Sequence, residues 1–274
     1  SVPSGATITL RTRDCFDDQI RSEEADLSRV DWERANPSTG PVHVEGAQPG
    51  DVLKVTIQRI ELAPSGVMVS DARHNILGRF LQGALVRVLP VGSREAEFGH
   101  GVRIPLAPMV GVIGVAPAGL PVKTDTPGRH GGNMDCSLVT EGAVLYFNVE
   151  VPGALFALGD VHGAMGDGEI LSGIEMAAQV TVTLDVVKGR SIQSPVLESR
   201  DAWSVIESAP TLDQAAQQAV ESMYGFLSER QGITGHELSM LMSLVGKLSF
   251  CQIVDPLKTV RFDMPKEHLG LMQF

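Results

Sequence analysis

The sequence predicts a mainly β fold with added α-helices (α+β), in which β-sandwich or jelly-roll-like sheets carry a C-terminal helical layer. Three observations predict it: short alternating apolar runs before residue 190, Gly and Pro turn signals between them, and a helical spacing of apolar residues after residue 200. No internal repeat or low-complexity linker interrupts the 274 residues. We therefore expect one domain over 1–274, β-rich over 1–190 and helix-containing over 200–274.

Strands are predicted where apolar and polar residues alternate, or where a short apolar run is bounded by Gly and Pro. Residues 6–12, ATITLRT, alternate throughout. The other predicted strands lie within 41–45, 51–62, 83–91, 101–108, 111–118, 142–162, 180–186 and 249–265. Residues 197–210, LESRDAWSVIESAP, are interpreted as a connection. Short, regularly spaced strands of this kind are typical of sandwiches and barrels.

Two helices are predicted in the C-terminal part. From Leu212 onwards apolar residues recur every three or four positions, which indicates an amphipathic helix over Leu212–Gln231. Thr211 and Gln214 have the spacing of a capping box at its start. A second helix is predicted over Gly235–Gly246.

Composition excludes several classes of protein. Hydrophobic residues make up 43% of the chain, enough for a large core, while the net charge of −11 argues against a nucleic-acid partner. No apolar run reaches the roughly 18 residues of a membrane span, and no signal peptide is visible. Cys15, Cys136 and Cys251 are widely separated, as expected of reduced thiols. We therefore expect a cytoplasmic protein with no membrane partner.

Two glycine-rich segments concentrate titratable side chains, PGRHGGNMDC at 127–136 and ALGDVHGAMGDGE at 157–169. On a strand, Asp160 and His162 are two residues apart and point to one face. The Gly-rich turn that follows can return Glu169 to that face, and Asp135 is a further ligand if the segments meet. Carboxylate and imidazole together form a ligand set that zinc and several other divalent ions accept.

Each of these residues also has a structural interpretation. Asp160 and Asp167 flank glycines, where Asp often forms a turn through its own hydrogen bonds. A single His such as His162 is more often non-catalytic. The presence of two acid–histidine clusters favours a metal or acid–base site, without indicating a substrate.

Four longer segments resemble the signature segments of the acetamidase/formamidase family: TGPVHVEGAQPGDVL, GVIGVAPA, PGRHGGNMD and VPGALFALGDVHGAMGDGE. They occur in the family's order over most of residues 39–187, and VDP at 254–256 resembles its C-terminal end. The resemblance implies a metal-dependent hydrolase of linear C–N amide bonds that releases ammonia from short primary amides such as formamide or acetamide. It also implies a cytoplasmic homodimer or homotetramer and a divalent metal ion, zinc first, with calcium or manganese as alternatives.

Position by position, the family's GNMD, GDxH and GDGE motifs fall on Asp135, on Asp160 and His162, and on Glu169. The site residues expected on this basis are the metal ligands Asp135, Asp160 and His162, the catalytic groups Glu169, His130 and Glu45, and the substrate-binding residues Gly131, Asn133 and Met165. Glu169 or Glu45 would take a proton from water, and His130 or the backbone of GRHGGN would stabilise an oxyanion. His43 and Met165 depart from the family's pattern, which leaves substrate size open. His74, in DARHNILG, aligns only loosely with a His-rich stretch of the family.

Other classes remain open. A covalent mechanism would need a nucleophile, and Cys136 and Ser137 directly follow Asp135, although Cys136 enters an apolar run typical of a buried structural thiol. A non-catalytic cation- or ligand-binding β-sandwich is a second alternative. An amidase of larger or cyclic amides (lactams) is a third.

Overall fold

The computed structural model describes residues 1–230 and 232–270. Two antiparallel sheets pack face to face and two α-helices cover one of them, so the predicted fold class is confirmed. The strands are β1 (Ala6–Thr12), β2 (Ser38–Val42), β3 (Val52–Leu62), β4 (Ser65–Asp71), β5 (Ala84–Pro90), β6 (Glu95–Gly99), β7 (Val102–Pro105), β8 (Met109–Gly114), β9 (Gly131–Asn133), β10 (Val144–Asn148), β11 (Phe156–His162), β12 (Glu175–Met176), β13 (Ala178–Val187), β14 (Val196–Glu198), β15 (Ala202–Ala209), β16 (Lys247–Gln252) and β17 (Lys258–Pro265).

The first sheet has eight strands in the order β1-β13-β3-β10-β14-β15-β17-β16. The second has the order β5-β4-β12-β11-β8-β9, with β2 paired to β11. β6 and β7 form a separate hairpin. The core between the two large sheets is aliphatic with few rings, for example Val55 and Val182 from the first sheet against Ile113, Phe156 and Leu158 from the second, all fully buried. Alternate residues of each strand supply this core, as face-to-face packing of two sheets requires.

The helices α1 (Leu212–Ser228) and α2 (Gly235–Val245) cover the outer face of the first sheet. Thr211 accepts a hydrogen bond from the Gln214 N–H at 3.3 Å, as the capping spacing predicted. α1 ends at Ser228, before the predicted end at Gln231, a residue outside the part of the chain that the structure describes. None of the described helices is long and apolar enough to cross a membrane.

Residues 197–210 are not the connection that the sequence suggested. Most of this segment is β15, which pairs with β14 and β17. Trp203 and Val205 pack under α1 while Ile206 faces the core between the sheets, so both faces of the strand are buried. A strand buried on both faces carries no clear polar–apolar alternation, and for this reason the pattern missed it. β4 and β6 were also missed, and the strand expected over 41–45 lies earlier, at Ser38–Val42.

Candidate active site

Strand β11 supplies Asp160 and His162 from the middle of the second sheet. His162 Nε2 lies 3.5 Å from Asp160 Oδ1, so the two side chains meet as their spacing predicted. Asp160 has a left-handed backbone (φ 54°) between positions that pair regularly with β8. A non-glycine residue in this region is uncommon and is held there by its surroundings.

Asp135 follows β9, which pairs with β8 on the other side of that strand. Gly111 of β8 lies between the two aspartates: a Cβ built on it would be 2.4 Å from Asp135 Oδ1 and 3.0 Å from Asp160 Oδ2. Only a residue without a side chain leaves room for both carboxylates at this position. Asp135 also has a left-handed backbone (φ 44°), and its N–H donates to the Gly111 carbonyl at 3.3 Å.

The loop between β11 and β12 carries Glu169, and contacts with the other sheet fix its position. Glu169 forms a parallel β-bridge with Gln252 of β16, and the Gly168 N–H donates to the Cys251 carbonyl at 3.1 Å. Asp167 accepts two hydrogen bonds from Arg261 of β17, at 2.9 and 2.6 Å. Glu169 is therefore buried and directed at β11 although it lies in a glycine-rich turn.

These elements bring Asp135, His162 and Glu169 into one group, here called the first cluster. One potential ligand atom from each residue lies within 4.8 Å of the other two, and all three side chains are buried. The expected convergence of Asp135 with His162 is thus observed. Their roles as ligands stay a prediction.

A second cluster adjoins the first and consists of Cys15, Asp160 and Glu175, again with ligand atoms within 4.8 Å of one another. Glu175 of β12 is the cross-strand partner of His162, and its Oε2 lies 3.1 Å from His162 Nε2. Sequence reasoning placed neither Cys15 nor Glu175 at the site. No local motif indicated them, since only strand pairing brings Glu175 beside β11.

Crowding of acidic groups dominates the electrostatics of both clusters. Burial raises the pKa of Asp135 well above its usual value, and the charges of Glu169 and Asp160 raise it further. Burial likewise raises the pKa of Glu175 to about 8, against the opposing effect of His162. Burial alone would lower the pKa of His162, but the charges of Glu175 and Asp160 outweigh it and hold that pKa well above its usual value. Such a site favours bound protons or a bound cation.

A cavity of about 650 Å³ opens onto the clusters. Its polar floor includes Asp160, Glu169 and Glu175, together with Asn133 and Asp255. Asn133 Nδ2 donates to Asp255 Oδ2 at 2.8 Å, and burial, with the charges of Glu169 and Asp160, raises the pKa of Asp255 to about 8. Asp255 belongs to the VDP segment, which resembles the family's C-terminal end. That resemblance alone indicated no site role for Asp255.

Apolar side chains, here called the apolar wall, also line the cavity, and exposed charged side chains at its surface are called the rim. The wall contains Phe16, Leu27, Trp32, Val69 and Leu171, with Trp32 edge-on to Phe16 at 6.2 Å between ring centroids. Arg73, which pairs with Asp71, lies at the rim beside His74. The loosely aligned His74 therefore does line the cavity.

Six of the nine expected site residues do not line this cavity: Asp135 and His162 are buried in the first cluster, and the other four lie elsewhere. Glu45 is exposed and accepts a hydrogen bond from Ser1; it lies near the Phe156 end of β11, roughly 20 Å of strand from His162 at about 3.3 Å per residue. His130 packs beside Gly128 and Gly132, and burial lowers its pKa.

The expected substrate-binding residues Gly131 and Met165 have other surroundings. Gly131 allows β9 to approach β8, because a Cβ there would lie 2.2 Å from the Ile113 carbonyl oxygen. Met165 is half-buried on the loop before Asp167.

The alternative nucleophiles have structural surroundings. Cys136 is fully buried in the core between the sheets, beside Cys251. The Ser137 hydroxyl donates to Asp167 at 2.5 Å and does not line the cavity. Asp167 itself pairs with Arg261 of β17, a contact that its interpretation as a turn-forming residue did not include.

The first cluster fits a divalent metal ion by its own chemistry. Asp135 Oδ1, Glu169 Oε2 and His162 Nδ1 are buried and have no hydrogen-bond partner. Buried polar atoms normally have partners, so unpaired atoms from three residues grouped together suggest a missing ligand. Two carboxylates and an imidazole suit zinc and manganese alike.

The fold and site define a two-sheet protein with a buried group of carboxylates and an imidazole beside a half-apolar cavity. The chain belongs to the acetamidase/formamidase family, whose model matches residues 1–122 and 118–264, and the resemblance found in its motifs is confirmed.

Solved structures and curated proteins agree with this assignment. The acetamidase structure from Bacillus halodurans is 44% identical, covers 98% of this chain and 92% of its own, and has a TM-score of 0.95. A predicted acetamidase/formamidase from Thermoanaerobacter tengcongensis is 42% identical over 97% of this chain and 89% of its own, with a TM-score of 0.94. The acetamidase of Mycolicibacterium smegmatis is 24% identical over 69% of this chain and 63% of its own length. The chain spans between 61% and 64% of the curated relatives that it matches.

Proposed function

We propose that this chain is a metal-dependent amide hydrolase that releases ammonia from primary amides at the first cluster. The observation that carries the proposal is the buried group of Asp135, His162 and Glu169, of which Glu169 lines the cavity; each of the three has a buried side-chain atom without a hydrogen-bond partner. Membership of a family whose named relatives are acetamidases and formamidases supports the reaction class.

In this proposal Asp135, His162 and Glu169 hold the metal, since three protein ligands are typical of catalytic zinc. A divalent cation supplies polarisation of the amide carbonyl and an acidified water. Glu169 is thereby reassigned from base to ligand, because it is buried against the other two residues. Asp160, expected as a third ligand, belongs to the adjoining second cluster.

Proton transfer is assigned to Asp255, which faces the cavity and is oriented by Asn133. The water oxygen bonds to the amide carbon, and Asp255 takes a proton from it. The carboxyl group then gives that proton to the amide nitrogen as the C–N bond breaks. The products are a carboxylic acid and ammonia, and Asp255 regains its starting state.

The test measures bound metal and ammonia release on the same preparations. We expect Asp135→Asn and Glu169→Gln to lose metal and activity together. Asp255→Asn should keep its metal and lose roughly 10²- to 10⁴-fold in rate, the usual contribution of a general acid–base group. Asp201→Asn, at an exposed position, is the matched control. Undiminished ammonia release after chelation would refute metal dependence, and full activity in Glu169→Gln would end its assignment as a ligand.

The cavity favours a second candidate, hydrolysis of larger amides. Acetamide has four non-hydrogen atoms and fills roughly the space of three waters, about 100 Å³ at about 30 Å³ per water. The cavity is several times larger, and its wall of Phe16, Leu27 and Trp32 suits an apolar acyl group. A series from formamide through aryl-substituted amides to lactams, assayed for ammonia release or ring opening, separates these substrates. A kcat/KM that falls steadily with acyl size would exclude the second candidate.

We also propose a homodimer or homotetramer in the cytoplasm. Exposed apolar side chains at Leu244, Leu248 and Phe250 support self-association, and three unpaired cysteines suit a reducing compartment. Light scattering of the purified protein at several concentrations measures the assembly. A monomer at every concentration would refute the oligomer.

A further inference from the structure

The two clusters bring together more carboxyl groups than one divalent cation can keep ionised. Five carboxyl groups lie in or beside the clusters: those of Asp160, Glu169, Glu175 and Asp255 line the cavity, and that of Asp135 belongs to the first cluster. His162 is the one basic group in contact with them, and no Lys or Arg in the described ranges 1–230 and 232–270 pairs with any of the five. A His162 imidazole that binds the first metal is neutral, so the five carboxyl groups can all ionise only if more positive charge is bound than one divalent cation supplies. Like charges this close, removed from water, are costly unless further cations compensate them.

The second cluster offers a separate place for such a cation. Its ligand atoms come from Cys15, Asp160 and Glu175, so it shares no residue with the first cluster. The two clusters adjoin through His162, which lies 3.5 Å from Asp160 and 3.1 Å from Glu175. Cys15 and Glu175 line the cavity, so the position is open to an ion from solution.

Two carboxylate oxygens of the second cluster have no hydrogen-bond partner among the described residues. Asp160 Oδ1 and Glu175 Oε2 are buried, and neither accepts a hydrogen bond of acceptable geometry. Both face the same His162 nitrogen, and a single N–H cannot satisfy the two oxygens. Glu175 is 2% exposed and Asp160 4%, so bulk water does not supply the missing partners.

Cys15 differs from the other two cysteines of the chain. Cys136 and Cys251 lie in the apolar core between the sheets, whereas Cys15 lies at the cavity among carboxylates. Burial and the charge of Glu175 raise the pKa of the Cys15 thiol. Thiolate is a ligand for zinc-like ions and a poor one for calcium or magnesium.

We propose that Cys15, Asp160 and Glu175 bind a second divalent cation of the thiolate-accepting class, next to the metal of the first cluster. The Cys15 thiol loses its proton to solvent when the cation binds, as metal ligation by cysteine requires. The inference rests on the proposed function only in taking the first cluster as the site of the first metal. Two-metal centres are an established arrangement in hydrolases.

The experiment counts metals and detects the thiolate independently of activity. The purified full chain is stripped with a chelator, reloaded with Zn²⁺ or Co²⁺, and analysed for metal per chain. We expect two Zn²⁺ per wild-type chain and, with Co²⁺, a near-ultraviolet thiolate-to-cobalt absorption band. Cys15→Ser should bind one metal and lose the band, and Asp135→Asn should bind one metal and keep it. Cys251→Ser, which changes a cysteine outside both clusters, should keep both metals and the band.

Several results would overturn the proposal: one metal per wild-type chain, two metals with no thiolate band, a band that persists in Cys15→Ser, or a band lost in Asp135→Asn. The wild-type spectrum decides even if a variant fails to fold. Failure of the proposed function is a different outcome. Two metals with a thiolate band but no ammonia release from any amide would refute the proposed hydrolase and support the second metal site. Ammonia release by a protein with one metal per chain would support the hydrolase and refute the second metal site.

Discussion

Asp167 and Arg261 are 94 residues apart in the chain and form a bidentate ion pair that joins the Glu169 loop to β17. The hydrogen bonds from Arg261 lower the pKa of Asp167 below its usual value of 3.8. The ionised form therefore stabilises the fold above that pH, and this contribution is lost as pH falls through the lower, folded-state pKa.

Asp167→Asn is expected to destabilise the protein at neutral pH by about 1 kcal/mol, near the upper end for an exposed pair. The value is modest because Asp167 is 41% exposed and Arg261 keeps its contact with Asp263. Urea unfolding at neutral and acidic pH measures the difference, which should shrink towards zero as the pH falls below 4. Asp201→Asn, whose side chain is 89% exposed, is the control. A difference that grows on acidification would contradict the assignment.

Gly111→Ala is expected to damage the site more than the fold. The added methyl group would meet Asp135 Oδ1 at 2.4 Å and the Asp160 carbonyl oxygen at 2.9 Å, so both must shift. We expect a stability loss of roughly 1–3 kcal/mol from overpacking and a loss of metal affinity of at least about tenfold. Metal titration and thermal unfolding measure the two effects. Gly225→Ala, where a Cβ meets nothing within 4 Å, should leave metal affinity unchanged; equal losses in both variants would refute the steric argument.

The metal-free protein is expected to become more stable as pH falls from about 8 towards 6. The pKa values of Glu175 and Asp255 are both about 8, well above their usual 4.5 and 3.8. Over this range the folded state binds more protons than the unfolded state, so the free energy of unfolding rises on acidification by roughly 1 kcal/mol per pH unit. Chemical unfolding of chelated protein across this range measures the slope. The slope should be smaller in Glu175→Gln and in metal-loaded protein; an opposite sign would disprove the folded-state pKa values.

Trp32→Ala tests whether the apolar wall binds the acyl group. If an aryl amide packs on Trp32 and Phe16, the substitution removes about 1.5–3 kcal/mol of binding free energy that comes from apolar burial. The KM for the aryl amide should therefore rise roughly tenfold or more. Acetamide, too small to reach the wall and the cluster together, should be hydrolysed with little change. Phe98→Ala, at an exposed position on the separate β6–β7 hairpin, is the matched control. Equal effects on acetamide and the aryl amide would rule out this contact.

The sequence predicted the parts of the site that local spacing controls. Asp160 and His162 share a strand, and Asp135 lies on a glycine-rich segment that joins the same sheet, so pattern and resemblance were sufficient to group them. Glu175 becomes a neighbour of His162 only through the pairing of β11 with β12. The residue spacing within either segment does not indicate which strands pair with each other.

Glu45 shows that resemblance to a family can also place a residue at the site wrongly. It lies in a segment that resembles the family, but β2 pairs with β11 near Phe156, at the far end of the strand from His162. Likeness of a segment to a family identifies the fold it builds, and not which of its side chains reach the cavity. β15 was missed for a related reason, since its two buried faces remove the alternation by which a strand is identified.

The cavity floor also has a consequence for how the chain folds. Cys15 lies three residues after the end of β1, and Asp255 lies between β16 and β17. The chain must close a loop of nearly its whole length before these residues meet, and long-range contacts of this kind form late and slowly. A chain still emerging from the ribosome therefore lacks the proposed proton-transfer group, which joins the cavity floor only when the last strands of the described fold have formed.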